Sequence, residues 1–180
     1  MKKLLFVAML VMTISSLSLA QRVLINNGDQ YVGAKLALGS VAGASVGFIG
    51  SYEMGYQENI GIGATIGYSG YTESITYFDL SYTNILIMAN GNYHIDLLKN
   101  EKLDTWGTLS LGYNIQSASA TYTGPANLKS FFGTWTGSAS SGLLFGLSAN
   151  ARYQLTEKLY ASAGLGFGLG LLNIGIDYKL

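Results

Sequence analysis

The last strand-like segment of the chain alternates between apolar and polar residues at every second position. Leu172, Ile174, Ile176 and Tyr178 are apolar, and the positions between them carry amide, glycine and charged side chains. Successive side chains of a β-strand point to opposite faces of its sheet, so this pattern predicts a strand with one apolar and one polar face. The same alternation recurs along most of the chain, which favours strands over helices throughout.

Eight segments alternate regularly enough to predict strands, and the third is the cleanest because isoleucine, alanine and tyrosine alternate there with glycine, threonine and serine. Each segment is near the roughly 9–11 residues that a tilted strand needs to cross a bilayer. The expected fold is all-β: an eight-stranded antiparallel up-and-down transmembrane β-barrel with lipid outside and polar groups within, in which the last strand pairs with the first. The predicted strands are 31–39, 45–56, 59–71, 80–95, 105–122, 141–155, 158–168 and 171–179.

The first 20 residues have the layout of a secretory signal peptide. Lys2 and Lys3 give a basic start, and residues 4–14 form an apolar core. This core is too short for a spanning helix, which needs about 20 residues. Small residues precede the expected cleavage site after Ala20. We therefore expect residues 1–20 to be removed and residues 21–180 to form one barrel domain.

Composition excludes several classes of site. Without Lys2 and Lys3 the chain has eight basic and ten acidic residues, which does not favour nucleic-acid binding. There is no cysteine and only one histidine, His94, so we expect no disulfide, no metal site and no cofactor. The 24 glycines lack the G-x-G-x-x-G spacing of a nucleotide-binding loop and suit a sharply curved sheet instead.

The connections sort into two sets, which predicts an orientation. Turns after the second, fourth and sixth strands should face the periplasm together with both termini. The opposite side carries 41–44, 72–79, 123–140 and a tight turn near 169–170, which we expect to be extracellular. The predicted location is the outer membrane of a diderm bacterium.

The end of the chain resembles a known family. Residues Ala151–Gly168 read ARYQLTEKLYASAGLGFG, and residues Leu171–Leu180 read LLNIGIDYKL. This hairpin and strand look like the closing section of small bacterial outer-membrane β-barrel domains of the OmpX type. The resemblance implies outer-membrane lipid as the surroundings and a last strand that the barrel-assembly machinery reads during biogenesis. In that family the last residue is usually aromatic, whereas here Tyr178 lies two positions before Leu180.

Charged side chains on the polar face predict a network inside the lumen. An isolated charge in so confined a space is costly, so opposite charges should lie together. We expect Lys35 to pair with Glu53 on the adjacent strand and Arg152 to pair with Asp177. His94 is expected to be a hydrogen-bonded lumen histidine. The full candidate network is Lys35, Glu53, His94, Arg152, Asp177 and Lys179, the last of these nearest the periplasmic exit.

The longest loop is the candidate recognition surface, because exposed aromatic side chains often mark binding sites. An alternative reading places Phe131 to Trp135 at the start of the sixth strand, in the upper membrane interface. The candidate residues are Lys129, Phe131, Phe132 and Trp135.

Three classes of function follow from these features. The leading expectation is a structural outer-membrane barrel with a surface-interaction or adhesion role, its lumen mostly plugged because eight strands leave room only for side chains. The alternative is a small passive pore or a carrier of hydrophobic ligands, which the many inward glycines suggest. An enzyme that modifies outer-membrane lipid is third, because residues 94–96 show no histidine, serine and acid arrangement. We therefore expect no catalytic residue.

Overall fold

The computed structural model describes residues 22, 24–138 and 140–180. The expected signal peptide, residues 1–20, lies outside the described residues. A 3-10 turn, Ala126–Leu128, and a short helix, α1 (Lys129–Phe132), precede the sixth strand. Within the described ranges no helix is long and apolar enough to cross a membrane. The strands are β1 (Gln30–Val41), β2 (Ala44–Gln57), β3 (Ile60–Ile75), β4 (Phe78–His94), β5 (Leu103–Tyr122), β6 (Thr134–Ser138), β7 (Gly142–Gln154), β8 (Leu159–Phe167) and β9 (Leu172–Lys179).

Eight of these strands form a closed antiparallel ring in the order β1-β2-β3-β4-β5-β7-β8-β9, and β9 pairs back onto β1. In this closing pair Tyr178 lies opposite Val32, and Leu172 lies opposite Leu38. The predicted eight-stranded barrel and its closure by the last strand are therefore confirmed. A closed ring has no unpaired edge over the length in which all eight strands pair.

The barrel has two different ends. The terminal end carries the carboxyl terminus and the connections 58–59, 95–102 and 155–158. The loop end carries the connections 42–43 and 76–77, the segment 123–133 and the turn 168–171.

The two faces of the sheet have the polarity of a membrane barrel. Outward side chains are mainly apolar and exposed, as in Phe48 and Ile66, which are 63% and 57% exposed. Inward side chains are mainly polar and buried, as in His94 and Arg152, which are at most 1% exposed. A water-soluble barrel would bury its apolar face, so this polarity fits a barrel surrounded by lipid.

The outward-facing apolar side chains form a belt around the barrel, and this apolar belt ends before the strands do. Tyr68, Ile85 and Ile115 lie side by side on β3, β4 and β5 as the last apolar outward row. Beyond this row the outward positions carry mainly glycine, serine and threonine. These three strands therefore project past the belt at the loop end, and we call this part, together with β6, the projecting wall. Its outward positions include Gly70, Thr72, Ser74, Asp79, Ser81, Thr83, Ser117, Ser119 and Thr121.

The prediction of a loop over 72–79 was wrong, because β3 and β4 continue through it to a two-residue connection at 76–77. The Thr72 and Ser81 hydroxyls are 3.0 Å apart, and the Ser74 hydroxyl donates to Asp79 at 2.7 Å. An outward face of hydroxyl groups lacks the apolar alternation that marks a strand in lipid, so the pattern could not reveal this extension.

The predicted loop over 123–140 also contains structure. β6 pairs with residues 117–121 at the upper end of β5, and β7 pairs with the rest of β5 below it. β6 and β7 thus lie along the same side of β5, and residues 139–141 separate them. The sixth strand of the sequence prediction corresponds to β7.

Candidate functional site

Four ionisable side chains meet inside the barrel near the terminal end. Glu53 comes from β2, His94 from the end of β4, Asp104 from the start of β5 and Arg152 from β7. Arg152 and Asp104 are directly opposite in the β5–β7 register. All four are at most 8% exposed, and we call them the charge cluster.

Arg152 bridges the two carboxylates of the charge cluster. Its Nη1 donates to Glu53 Oε2 at 2.9 Å. Its Nη2 lies 2.6 Å from Asp104 Oδ2, an ion pair whose angles are not those of a well-aligned hydrogen bond. One guanidinium therefore ties β7 to both β2 and β5, and charge-assisted contacts of this kind are among the stronger polar interactions in proteins.

His94 bridges the same two carboxylates from the other side. Its Nδ1 lies 2.8 Å from Asp104 Oδ1, and its Nε2 lies 3.0 Å from Glu53 Oε1. An ionised carboxylate only accepts hydrogen bonds, so both ring nitrogens must donate, which the imidazolium form does. With His94 protonated, the charge cluster holds two positive and two negative charges and is neutral as a unit.

Aromatic rings surround the guanidinium group of Arg152. Its Cζ lies 3.5 Å from the ring centre of Tyr31, 5.0 Å from that of Trp106 and 5.8 Å from that of Tyr160. The Trp106 ring also stacks on His94 with centroids 5.3 Å apart. Cation–π contacts strengthen when they are desolvated, so these rings and the charge cluster form one packed layer across the lumen.

The predicted pairing of the lumen charges was wrong: the four residues form two ion pairs, but with the partners exchanged. Lys35 Nζ lies 3.2 Å from Asp177 Oδ1, so Lys35 pairs with Asp177, and Arg152 pairs with Glu53. Lys179 contacts Asp29 at 2.8 Å at the rim of the terminal end. The structure therefore places all six candidate residues in the interior or at its rim, but in three separate groups.

Asp29 lies outside the strands, just before β1. Partial burial acts to raise the pKa of its carboxyl group, but the hydrogen bond and charge of Lys179, together with hydrogen bonds from Asn26, outweigh burial and hold the pKa below its usual value.

The rest of the lumen changes character toward the loop end. Above the charge cluster lies a cavity of about 80 Å³, lined largely by hydroxyl and amide side chains and by Lys35 and Asp177. An apolar layer follows, in which Leu86 is fully buried. Its members are Ala37, Val41, Ile49 and Leu86, with Ala42, Leu144 and Leu169 packed against them.

The candidate recognition residues lie at the loop end. Lys129, Phe131 and Phe132 belong to α1, and Trp135 belongs to β6. Phe131 is 81% exposed and Trp135 is 61% exposed. Phe132 instead stacks on Tyr122 of β5 with ring centres 5.0 Å apart, which fastens α1 to the projecting wall.

Sequence reasoning missed Asp104 and the rings of Tyr31, Trp106 and Tyr160. The predicted fifth strand starts at residue 105, which leaves Asp104 in the preceding turn, although Asp104 lies an even number of positions before the buried, inward-facing Thr108. Trp106 already lies inside the predicted fifth strand, and extending that strand by one residue toward its start would have brought in Asp104.

No protein-family model and no curated protein matches the sequence. Solved structures do resemble the fold. A de novo designed transmembrane β-barrel is 13% identical over 89% of this chain and 100% of that one, with a TM-score of 0.54. The N-terminal β-barrel domain of Pseudomonas aeruginosa OprF is 13% identical over 86% and 98% of the two chains, with a TM-score of 0.50.

The attachment invasion locus protein Ail of Yersinia pestis is similar in the same way. It is 15% identical in one structure and 17% identical in another, which holds the heparin analogue sucrose octasulfate. Each covers 86% of this chain and 99% of Ail with a TM-score of 0.50. At these identities the likeness concerns the fold alone: the chain is a small β-barrel of the type found in bacterial outer membranes.

Proposed function

We propose that this chain is an integral outer-membrane barrel with a structural role, a plugged lumen and a surface-interaction role at its loop end. The observation that carries the proposal is the inverted polarity of the sheet, since the charge cluster is buried inside while side chains such as Phe48 face outward in the open. In this proposal residues 1–20 are the cleaved signal peptide and residues 21–180 are the barrel domain. Outer-membrane lipid and the barrel-assembly machinery are its partners.

The layering of the lumen supports a plug. The charge cluster with its aromatic rings lies across the terminal half, an apolar layer around Leu86 lies across the loop half, and the cavity of about 80 Å³ lies between them. Planar-bilayer recording of the refolded barrel tests this. Conductance indistinguishable from bare lipid is expected, whereas steady channels would refute the plug and favour the passive-pore alternative.

The position of His94 supports a non-enzymatic role. Both of its ring nitrogens face carboxylates of the charge cluster, and its side chain is fully buried. The single histidine of the chain thus directs both ring nitrogens to carboxylates, whereas lipid hydrolysis by a triad would need one of them to face a serine nucleophile.

The projecting wall supports a contact role at the cell surface, with both termini in the periplasm. Cysteine labelling tests this orientation, because the natural chain has no cysteine. Thr121→Cys on the wall should react with a membrane-impermeant maleimide on intact cells, and Glu157→Cys at the terminal end should react only after the outer membrane is opened. The reverse pattern would refute the orientation.

The charge of the wall distinguishes it from a polyanion-binding surface. Ail was solved with a heparin analogue, but residues 115–142 of this chain include one basic residue, Lys129, and residues 70–83 include two acidic ones, Glu73 and Asp79. A sulfated partner would find little positive charge here.

A further inference from the structure

The projecting wall reverses the polarity of the barrel beneath it. Its outward face carries hydroxyl groups, whereas its inward face is aromatic. Along one inward row Tyr71 lies opposite Tyr82, Tyr82 opposite Ala118, and Ala118 opposite Gly137. In the next row Trp135 lies opposite Ala120. Aromatic groups are thus presented above the lipid belt, on a wall that stands in water.

The indole of Trp135 lies flat on the strand that carries it. A Cβ atom built on Gly137 would lie 2.4 Å from Cη2 and 2.6 Å from Cζ2 of Trp135, so the six-membered ring rests on the glycine backbone. Any side chain at position 137 would lift the ring. The other face of the indole is open, since Trp135 is 61% exposed.

A shallow trough with aromatic sides results. Tyr71 and Tyr82 stack with ring centres 4.8 Å apart and form one side, and Trp135 forms the other. Ala118 and Ala120 lie between them on β5, where small side chains leave space. Because neighbouring strands are about 4.8 Å apart, β4 and β6 are separated by roughly 10 Å. These five residues define the aromatic trough.

The surroundings of the aromatic trough are polar but almost uncharged. Glu73 shares its face, opposite Leu80. The side chains of Thr134 and Thr136, next to Trp135 on β6, point to the outward face of the wall, and Lys129 in the preceding helix is the only cation in residues 115–142. A ligand of high charge therefore has no complementary field here, while the hydroxyl groups of a sugar can form hydrogen bonds with the Glu73 carboxylate and with the hydroxyl groups of Tyr71 and Tyr82.

We propose that the aromatic trough binds a neutral sugar ring of a surface glycan, with the indole of Trp135 as its stacking platform. The C–H groups on one face of a pyranose pack on the π-face of an aromatic ring, and the equatorial hydroxyl groups point sideways toward polar neighbours. A flat, open indole beside uncharged hydroxyl groups meets both needs. The inference rests on the proposed exposure of the loop end at the cell surface.

Tryptophan emission of the refolded barrel tests the inference, because the chain has only two tryptophans and Trp106 is buried in the lumen at 7% exposure. Cellohexaose and laminarihexaose are the probes. Either hexaose should shift the emission of Trp135 to shorter wavelength and protect it from acrylamide, and Trp135→Ala should abolish this saturable change.

A matched pair of glycine variants tests whether binding needs the indole in its flat position or only needs the indole to be present. Gly137→Val keeps the indole but displaces it, and should weaken binding by up to about tenfold, the scale of one lost aromatic contact. Gly142→Val serves as the control, because a Cβ there meets nothing within 4 Å; it should leave binding unchanged. Circular dichroism and heat-modifiable gel migration report whether each variant still folds.

Several results would overturn the inference: no saturable change with either hexaose at millimolar concentration, equal binding by Gly137→Val, or tighter binding of dextran sulfate or of an apolar peptide than of the hexaoses. The labelling of Thr121→Cys on intact cells is independent of sugar. If that label reacts while the hexaoses fail, the proposed surface exposure stands and the glycan inference falls.

Discussion

Replacing Arg152 with methionine should lower the free energy of unfolding of the barrel by about 3–5 kcal/mol, the usual cost of removing one partner from a buried ion pair. The guanidinium is 1% exposed and contacts both Glu53 and Asp104. Its loss leaves two buried carboxylates with His94 as their shared cation, so the charge cluster acquires a net negative charge. Methionine is shorter, but its unbranched, flexible side chain still fills most of the space of the arginine stem, which limits the effect of a cavity.

Urea unfolding of the refolded barrel in phosphocholine vesicles, followed by tryptophan emission, measures the effect. Lys179→Met is the control: its partner Asp29 sits at the rim and the Lys179 side chain is 34% exposed, so its loss should cost less than about 1 kcal/mol. The double variant Glu53→Gln with Arg152→Met leaves one cation facing one anion and should recover part of the loss, which a double-mutant cycle resolves. A cost for Arg152→Met no larger than that for Lys179→Met would refute the reasoning.

Three further predictions use the same unfolding assay. Leu86→Ala should cost about 2–5 kcal/mol, because Leu86 is fully buried in the apolar layer; a cost below that of Lys179→Met would contradict the packing. Gly43→Val should cost at least about 1–2 kcal/mol, since Gly43 has φ of +93° and a Cβ there would lie 2.9 Å from the Tyr71 ring; unchanged stability would contradict it. Asp29→Asn should lower the free energy of unfolding at neutral pH but not at acidic pH. The pKa of Asp29 is lower in the folded than in the unfolded chain, so its ion pair stabilises the barrel at a pH above the unfolded pKa, and this stabilisation is lost as the pH falls through the folded pKa. A difference between wild type and Asp29→Asn that grows on acidification would refute that sign.

The period-two alternation was sufficient to predict the ring of strands, because each lipid-facing position must be apolar and each lumen-facing position need not be. It could not predict the ion pairs, since these depend on register. Lys35 lies opposite Ile49 in the β1–β2 pairing, and Glu53 lies opposite Tyr31. The two charges are therefore offset by four residues, about 13 Å along the strands, and Lys35 reaches Asp177 instead.

The projecting wall was hidden from the sequence for a different reason. Where a strand leaves the membrane, water replaces lipid on its outer face, and the requirement for apolar residues at alternate positions ends. Polar residues such as Thr72 and Ser81 then suit the outer face of the strand as well as isoleucine suits the part that faces lipid. The unequal lengths of the strands could only be read from the pairing itself.

The strands that close the ring are among the shortest. β9 has 8 residues, whereas β5, on the opposite part of the ring, has 20. Since the hydrogen bonds of a ladder add along its length, the seam between β1 and β9 is held by a much shorter ladder than the one between β4 and β5. The barrel is therefore a curved sheet whose central strands are long and whose closing ladder is short. Under load or at the edge of unfolding, it should open first along the short ladders that join β9 to β1 and to β8, leaving the projecting wall intact.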